Sequence, residues 1–95
     1  MSDRTTSAVE LVVAERERQD VLKAQGRFEF TCADDALTNA EKLACLTEEL
    51  GEVAREVLTQ EGRRLARDTM GTKEALRKEI VQVAAVALAW IEALA

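Results

Sequence analysis

Residues 43–57 of the chain read LACLTEELGEVAREV and carry a regular apolar pattern. The apolar positions follow one another at intervals of 3, 4, 3 and 4 residues: Leu43, Leu46, Leu50, Val53 and Val57. Because an α-helix turns once in about 3.6 residues, these side chains form one apolar seam of the coiled-coil type. We expect this helix to begin near Thr38 or Asn39 and to run to about Glu61. The pattern therefore predicts a helix that buries its seam against a neighbour.

The two flanks of this seam differ in chemistry. One flank is acidic, because Glu49, Glu52 and Glu56 fall together there. The other flank consists of small residues: Ala44, Thr47, Gly51 and Ala54. A glycine inside a helix costs about 1 kcal/mol relative to alanine. Gly51 therefore indicates that a neighbouring helix approaches closely at the flank of small residues.

Upstream of this helix, the sequence predicts another one from about Thr6 to about Gln25. Ser7 or a neighbouring threonine is placed to cap its start, and Glu10 stands three residues after Ser7, as a capping box requires. Gly26 is suited to end the helix, because glycine readily adopts the left-handed backbone that follows many helices.

Two connecting segments separate the predicted helices. Residues 27–38 lack a helical period, and we expect Phe28 and Phe30 to anchor this loop on the core. We expect residues 62–71 to form a second link, which includes three basic side chains: Arg63, Arg64 and Arg67. These arginines are interpreted as a solvated connection, with a phosphate site as the alternative.

A third helix is predicted to begin at Thr72 and is apolar on every side from Ile80 onward. A helix that is apolar all round has to be buried all round, and two other helices of one chain are too few to cover it. We therefore expect an all-α fold with three main helices per chain, in which a second chain completes the helical bundle. The assembly would be a homodimer or a higher homo-oligomer.

Length and composition limit the remaining classes of protein. The 95 residues predict a single domain, residues 1–95. A net charge of −5 argues against binding to a nucleic-acid backbone. The absence of histidine excludes Ser-His-Asp and Cys-His catalysis within one chain. Cys32 and Cys45 make neither a zinc site nor a disulfide framework, and we interpret them as two reduced thiols.

Targeting signals are missing from the sequence as it stands. Residues 1–5 contain no apolar signal core. The longest apolar-rich run, residues 80–95, has 16 residues, which is fewer than the roughly 20 that a membrane span needs. We expect a cytoplasmic protein without a membrane partner. If it is an enzyme, its chemistry has to rest on carboxylates and a hard metal ion.

Two pairs of oxygen-bearing side chains stand on the second and third predicted helices. They are Glu49 with Glu52 and, 27 residues after Glu52, Glu79 with Gln82. Residues three apart on a helix point the same way, so antiparallel neighbours would bring three carboxylates and one amide oxygen around one point. Such a cluster is unfavourable unless a cation such as Mg²⁺ or Mn²⁺ binds it. The alternative is a pair of solvated helix faces, with Glu52 paired to Arg55.

These acidic pairs, residues 48–52 and 79–82, resemble the signature of the MazG-like, all-α nucleoside triphosphate pyrophosphatases. In that family a Glu-Glu-x-x-Glu helix precedes a Glu-x-x-Asp helix. Residues 15–19 also resemble the Glu-Arg-x-Arg-Gln segment of the small phage- and actinobacterial-type members, and residues 76–94 resemble their last helix. The resemblance covers about residues 15–94.

The resemblance implies a metal-dependent fold that works as a homodimer or homotetramer and hydrolyses nucleoside triphosphates between the α and β phosphates. Carried over residue by residue, it makes Glu49, Glu52 and Glu79 catalytic residues and ligands of Mg²⁺, with Mn²⁺ as a substitute. Gln82 stands where the family has an aspartate. Its amide oxygen can ligate Mg²⁺ but adds no negative charge, so Glu48 or a substrate phosphate would have to compensate.

The first helix contains the substrate-binding residues that the resemblance implies, Arg16, Arg18 and Gln19. A triphosphate needs cationic or amide donors beyond the metal. The alternative is that both arginines pair with acidic neighbours on a solvated helix: Glu15, Glu17 and Asp20. Trp90 offers a stacking surface for a base, with a place in the core or an interface as the alternative.

We therefore predict a Mg²⁺-dependent nucleotide pyrophosphohydrolase that converts a (d)NTP to the monophosphate and pyrophosphate. The departure at Gln82 leaves a second interpretation open. In that interpretation the chain is a catalytically degenerate MazG-like helical module for oligomerisation or binding. A nucleic-acid-binding regulator is the weakest of the three hypotheses because the net charge is −5.

Overall fold

The computed structural model describes residues 1–65 and 72–95 of the chain. These residues form three α-helices and no β-strand: α1 (Asp3–Ala24), α2 (Asn39–Leu65) and α3 (Thr72–Leu94). The all-α prediction is confirmed for this part of the chain. Among the described residues, no helix is long and apolar enough to cross a membrane.

Helix α1 begins earlier than its sequence pattern predicts. Ser2 is the N-cap, and its hydroxyl accepts a hydrogen bond from the backbone N–H of Thr5 at 3.1 Å. The predicted start at Thr6 with a cap at Ser7 is therefore wrong, because the earlier serine satisfies the free N–H groups of the first turn. The predicted end is confirmed, since Gly26 adopts φ 75° immediately after the helix.

Helix α2 has a reciprocal capping box at its start. The backbone N–H of Glu41 donates to Thr38 Oγ1 at 3.1 Å, and the N–H of Thr38 donates to Glu41 Oε1 at 3.0 Å. The predicted start is confirmed. The helix continues to Leu65, so the expected link is helical over residues 62–65. Arg67, one of the arginines predicted to lie in this link, is outside the described residues.

Helix α3 packs against both α1 and α2. It runs antiparallel to α2, because Trp90, near its end, donates from Nε1 to Asn39 Oδ1 at the start of α2 over 3.1 Å. Ala85 and Ala89 are completely buried at the centre of α3. Their small side chains let the neighbouring helices approach closely, which fixes the packing that positions the site described below.

The loop of residues 27–38 is confirmed as non-helical, but its aromatic side chains do not serve as anchors. Phe28 and Phe30 are 39% and 41% exposed, whereas Thr31 and Cys32 are buried. The expectation that both phenylalanines hold the loop on the core is therefore wrong. The smaller Cys32 takes the buried place, and the two rings remain accessible to a ligand.

The apolar seam of α2 is left largely open by the described residues. Three of its five members are exposed: Leu43, Leu50 and Val57. The flank of small residues is also exposed, and a Cβ added at Gly51 would meet no atom within 4 Å. The surface of the chain is 6937 Å² at 10.5 kDa, whereas a compact monomer of that mass has about 5400 Å². The isolated chain thus exposes more surface than a compact monomer.

Candidate metal centre and adjoining cavity

Three carboxylates from two helices converge at one point. Glu49 and Glu52 lie one turn apart on α2, and Glu79 reaches them from the antiparallel α3. One ligand oxygen of each residue lies within 4.8 Å of the other two. The sequence spacing predicts three carboxylates and the amide oxygen of Gln82 around one point. The structure brings the three carboxylates together, and Gln82 lines the cavity described below. We call Glu49, Glu52 and Glu79 the acidic cluster.

Burial makes the acidic cluster electrostatically unfavourable. Glu49 Oε2 and Glu79 Oε2 are both buried, and neither has a hydrogen-bond partner. Burial, followed by the negative charges of Glu52 and Glu79, raises the pKa of Glu49. Burial and then the neighbouring Glu52 raise the pKa of Glu79. The positive charge of Lys78 offsets only part of this effect on Glu79. The fold thus holds these carboxylates close together with a net unfavourable electrostatic interaction.

The donor set of the acidic cluster fits a hard divalent cation. Carboxylate oxygens are the ligands that Mg²⁺, Mn²⁺ and Ca²⁺ prefer. Oxygens that share one such ion at about 2.0–2.6 Å lie at most about 4–5 Å apart, and the observed limit of 4.8 Å falls in that range. A bound cation would also supply the partner that the two orphaned oxygens lack.

A cavity of about 310 Å³ adjoins the acidic cluster. Residues of all three helices and of the loop line it, including Glu49 and Glu52 of the acidic cluster and the two phenylalanine rings of the loop. Its volume lies at the lower end of the range of about 300–1,000 Å³ for small-molecule sites. The cavity is large enough to receive part of a small ligand beside the carboxylates.

Besides Glu49 and Glu52, three more of the predicted site residues line this cavity. They are Arg18 and Gln19 on α1 and Gln82 on α3. The guanidinium of Arg18 makes two hydrogen bonds of 2.8 Å to the carboxylate of Glu15, which also lines the cavity. Arg18 therefore agrees with both interpretations of the sequence. It pairs with an acidic residue of its own helix, and it also lines the cavity where a substrate would bind.

Arg16 lies elsewhere, although the sequence groups it with Arg18. It is buried, and it donates from Nη1 to Asp20 at 2.7 Å and from Nε to Glu92 on α3. Its guanidinium ties α1 to α3 and is not among the groups that line the cavity. The structure therefore favours the ion-pair interpretation of Arg16 and does not bring it to the predicted substrate site.

Glu48 is also separated from the acidic cluster. It is exposed and lines an open groove on another side of α2, together with Leu43 and Thr47. Its negative charge still contributes to the raised pKa of Glu49. Trp90 does not line the cavity either. Its indole N–H donates to Asn39 at the start of α2, near the end of α3 that is distant from Glu79.

Sequence reasoning missed the contribution of the loop to the cavity. Phe28, Phe30, Thr31 and Cys32 all line it, as does Cys45 on α2. Burial, and then the neighbouring thiol of Cys45, raises the pKa of Cys32 to about 11. The Cys32 thiol is therefore protonated at neutral pH and unsuited to act as a nucleophile. The missed signal was the pair of phenylalanines in a polar loop, which the sequence interpretation assigned to the core.

Comparisons with protein-family models, curated proteins and solved structures give no match to this chain. The fold and the site therefore define the class of protein only in general terms. The chain has an all-α fold with a carboxylate cluster on two antiparallel helices, beside a cavity of small-molecule size.

Proposed function

We propose that this protein is a Mg²⁺-dependent nucleoside triphosphate pyrophosphohydrolase of the MazG-like class. It would cleave a (d)NTP between the α and β phosphates and release the monophosphate and pyrophosphate. The observation that carries the proposal is the convergence of Glu49, Glu52 and Glu79, with two buried oxygens lacking partners, at the edge of a cavity. The sequence resemblance in residues 15–19, 48–52 and 79–82 supports the same class.

In this proposal the acidic cluster holds the cation and presents it to the triphosphate. When bound, the cation neutralises phosphate oxygens and lowers the pKa of a coordinated water. Glu49 and Glu79 hold their ligand oxygens in place from two packed helices, so little rearrangement is needed on binding. Because the chain contains no histidine, a carboxylate of the acidic cluster would have to accept the proton in this scheme.

Gln82 and Arg18 complete the polar lining on the cavity side. The amide of Gln82 offers an oxygen to the cation or an N–H to a phosphate. The Arg18 side chain is 52% exposed, so it can exchange its bond to Glu15 for one to a phosphate oxygen at little energetic cost. Together they supply N–H donors to an anionic substrate. The three carboxylates cannot do this, because ionised carboxylates only accept hydrogen bonds.

The proposal includes a second copy of the chain packed on the open seam of α2. Exposed apolar seams of this kind are typical of helices that pair with another helix. The surplus of about 1500 Å² over a compact monomer exceeds the roughly 800 Å² that each partner buries in a standard interface. A homodimer or homotetramer in the cytoplasm, where nucleoside triphosphates are available, would follow.

The activity is tested by pyrophosphate release from a panel of canonical and modified (d)NTPs, with Mg²⁺, with Mn²⁺ and with a chelator. We expect release that needs the metal and is lost in Glu52→Gln. Glu61→Gln is the matched control, because this exposed glutamate lies further along the same helix. Equal release by Glu52→Gln and the control would contradict the proposal.

The second candidate, a degenerate binding module, is favoured by the neutral amide of Gln82 at a position where the family has a carboxylate. It predicts a folded oligomer that releases no pyrophosphate from any substrate in the panel. Sedimentation of the wild type and of Leu50→Lys tests the assembly shared by both candidates. Dissociation is expected for the lysine variant, since it places a charge in the seam, and an unchanged mass would contradict the interface.

A further inference from the structure

Gln19 is a buried residue on the cavity wall whose side-chain amide has no partner among the described residues. The residue is 8% exposed and lines the cavity, and the described residues give its side-chain amide no hydrogen bond. An amide offers one acceptor and two donors. Among the described residues, the buried side-chain atoms without a partner are Glu49 Oε2 and Glu79 Oε2, so the unpaired amide of Gln19 keeps some accessible surface. The amide of Gln19 is therefore positioned for a group that comes from outside the chain.

Aromatic rings accompany this amide. Phe28 and Phe30 line the same cavity and remain partly exposed, although apolar rings on a loop would gain by burial. Val86 on α3 adds a further apolar wall. A flat ligand can place its face against these rings and its polar edge against Gln19. These residues match a heteroaromatic ring better than a purely charged group.

The lining of the cavity combines groups of opposite character. Glu49 and Glu52 are acidic, whereas Phe28, Phe30 and Val86 are apolar. A ligand that contacts both kinds of group needs one part that carries a cation and one part that is flat and apolar with hydrogen-bonding edges. A nucleotide has this division between its phosphates and its base.

We propose that Gln19, Phe28 and Phe30 form the binding site for the base of a nucleotide. The amide of Gln19 bonds a neighbouring donor and acceptor on the edge of the base, as glutamine does when it reads a base edge in DNA. The two rings contact its face. This inference rests on the proposed function for the identity of the ligand, and it moves Gln19 from the phosphates, where the sequence interpretation placed it, to the base.

The test is calorimetric titration of the 95-residue chain with nucleosides, which carry no phosphate, in the presence of a chelator. We expect binding to the wild type and about tenfold weaker binding to Gln19→Met, which keeps the volume and removes the bonds. The double variant Phe28→Leu with Phe30→Leu should bind at least about fivefold more weakly, because base stacking is lost. Gln25→Met, at an exposed position beside the end of α1, is the matched control.

Thermal unfolding separates a binding role for Gln19 from a structural one. Removing a buried amide without a partner should leave the melting temperature of Gln19→Met equal to that of the wild type or higher. A lower melting temperature with unchanged nucleoside affinity would overturn the inference and make Gln19 structural.

The outcomes for this site and for hydrolysis are distinguishable. Nucleoside binding that weakens in the variants supports the base site, even if no pyrophosphate is released from any triphosphate. Metal-dependent hydrolysis whose KM is the same in the wild type and both variants would overturn the base site and leave the proposed function standing. Absence of nucleoside binding by the wild type would also overturn the base site.

Discussion

Helix α3 carries one glutamate in each of two charged clusters, and the two clusters have opposite electrostatics. Near its end, Glu92 joins Asp20 in binding the guanidinium of the buried Arg16. We call this the paired cluster. Near its start, Glu79 meets two further carboxylates in the acidic cluster, where two buried oxygens lack partners.

The difference indicates what each cluster contributes. The paired cluster satisfies its charges within the chain, so it can stabilise the contact between α1 and α3. The acidic cluster brings like charges together and raises the pKa values of Glu49 and Glu79, so it opposes folding while it lacks a cation. This contrast is the basis of our proposal that the acidic cluster binds a cation.

The largest expected effect is on activity. Glu49→Gln removes one charged ligand from the acidic cluster and should lower pyrophosphate release by at least about 100-fold, since changes further from a metal already cost about 10–100-fold. Asp20→Asn in the paired cluster should keep most of the wild-type activity. The check is initial rates at saturating Mg²⁺. Similar losses in both variants would remove the distinction between the clusters.

The next effect is on stability and concerns the paired cluster. Arg16→Met leaves Asp20 and Glu92 without their shared partner and should lower the free energy of unfolding by about 2 kcal/mol, as expected for charge-assisted bonds with half-exposed acceptors. Chemical denaturation of the variant provides the measurement. Arg18→Met serves as the control, because its partner Glu15 is on the same helix. An equal, small loss in both variants would show that Arg16 does not hold α1 to α3.

A smaller effect sharpens the role of Gln82. Gln82→Asp adds a charged oxygen at the cavity and should raise Mg²⁺ affinity by about tenfold. The same change should lower the melting temperature in a chelator, because it adds another negative charge beside the acidic cluster. Calorimetric titration with Mg²⁺ and a melt in chelator measure the two effects. Unchanged affinity would place Gln82 outside the metal site.

The smallest effect is a pH dependence. A carboxyl whose pKa is raised on folding contributes stability below its unfolded value, 4.5 for glutamate, and loses it as the pH rises through the folded value. Relative to Glu49→Gln, the metal-free wild type should therefore lose stability on going from below that pH to neutrality. Melts across that range measure the difference.

Two other carboxyls titrate in the opposite sense but leave this comparison intact. The pKa of Asp34 is lowered chiefly by the backbone N–H of Ala36, and that of Glu41 by the backbone of Thr38. Both act equally in the wild type and in Glu49→Gln, so their contributions cancel in the difference. A difference that shrinks as the pH rises would contradict the raised pKa values in the acidic cluster.

Local spacing predicted much of the fold and the acidic cluster. The three-residue spacings put Glu49 with Glu52 and left Glu79 to face them once the helices were antiparallel, and the folded chain has this geometry. The start of α2 near Thr38 or Asn39 was predicted correctly. The cap of α1 was not, because Ser2 takes the place predicted for Ser7 or a neighbouring threonine.

Contacts between residues distant in sequence were not predictable in this way. Arg16 lies 76 residues from Glu92, and no local pattern indicates that pair. The loop residues Phe28 and Phe30 lack a period from which to infer the surface that they face. Their place at the cavity and the burial of Gln19 depend on the tertiary packing of the loop, which the local sequence does not determine.

The central claim, that the acidic cluster binds a divalent cation, is tested most directly by thermal unfolding of the wild type and Glu79→Gln with and without Mg²⁺. In a chelator, the variant should melt higher than the wild type because one like charge is gone. Mg²⁺ at about ten times its Kd should stabilise the wild type by about 1.4 kcal/mol, a rise of roughly 5–10 °C for a chain of this size, and should leave the variant unchanged. Equal shifts in both proteins, or no shift in the wild type, would contradict the claim.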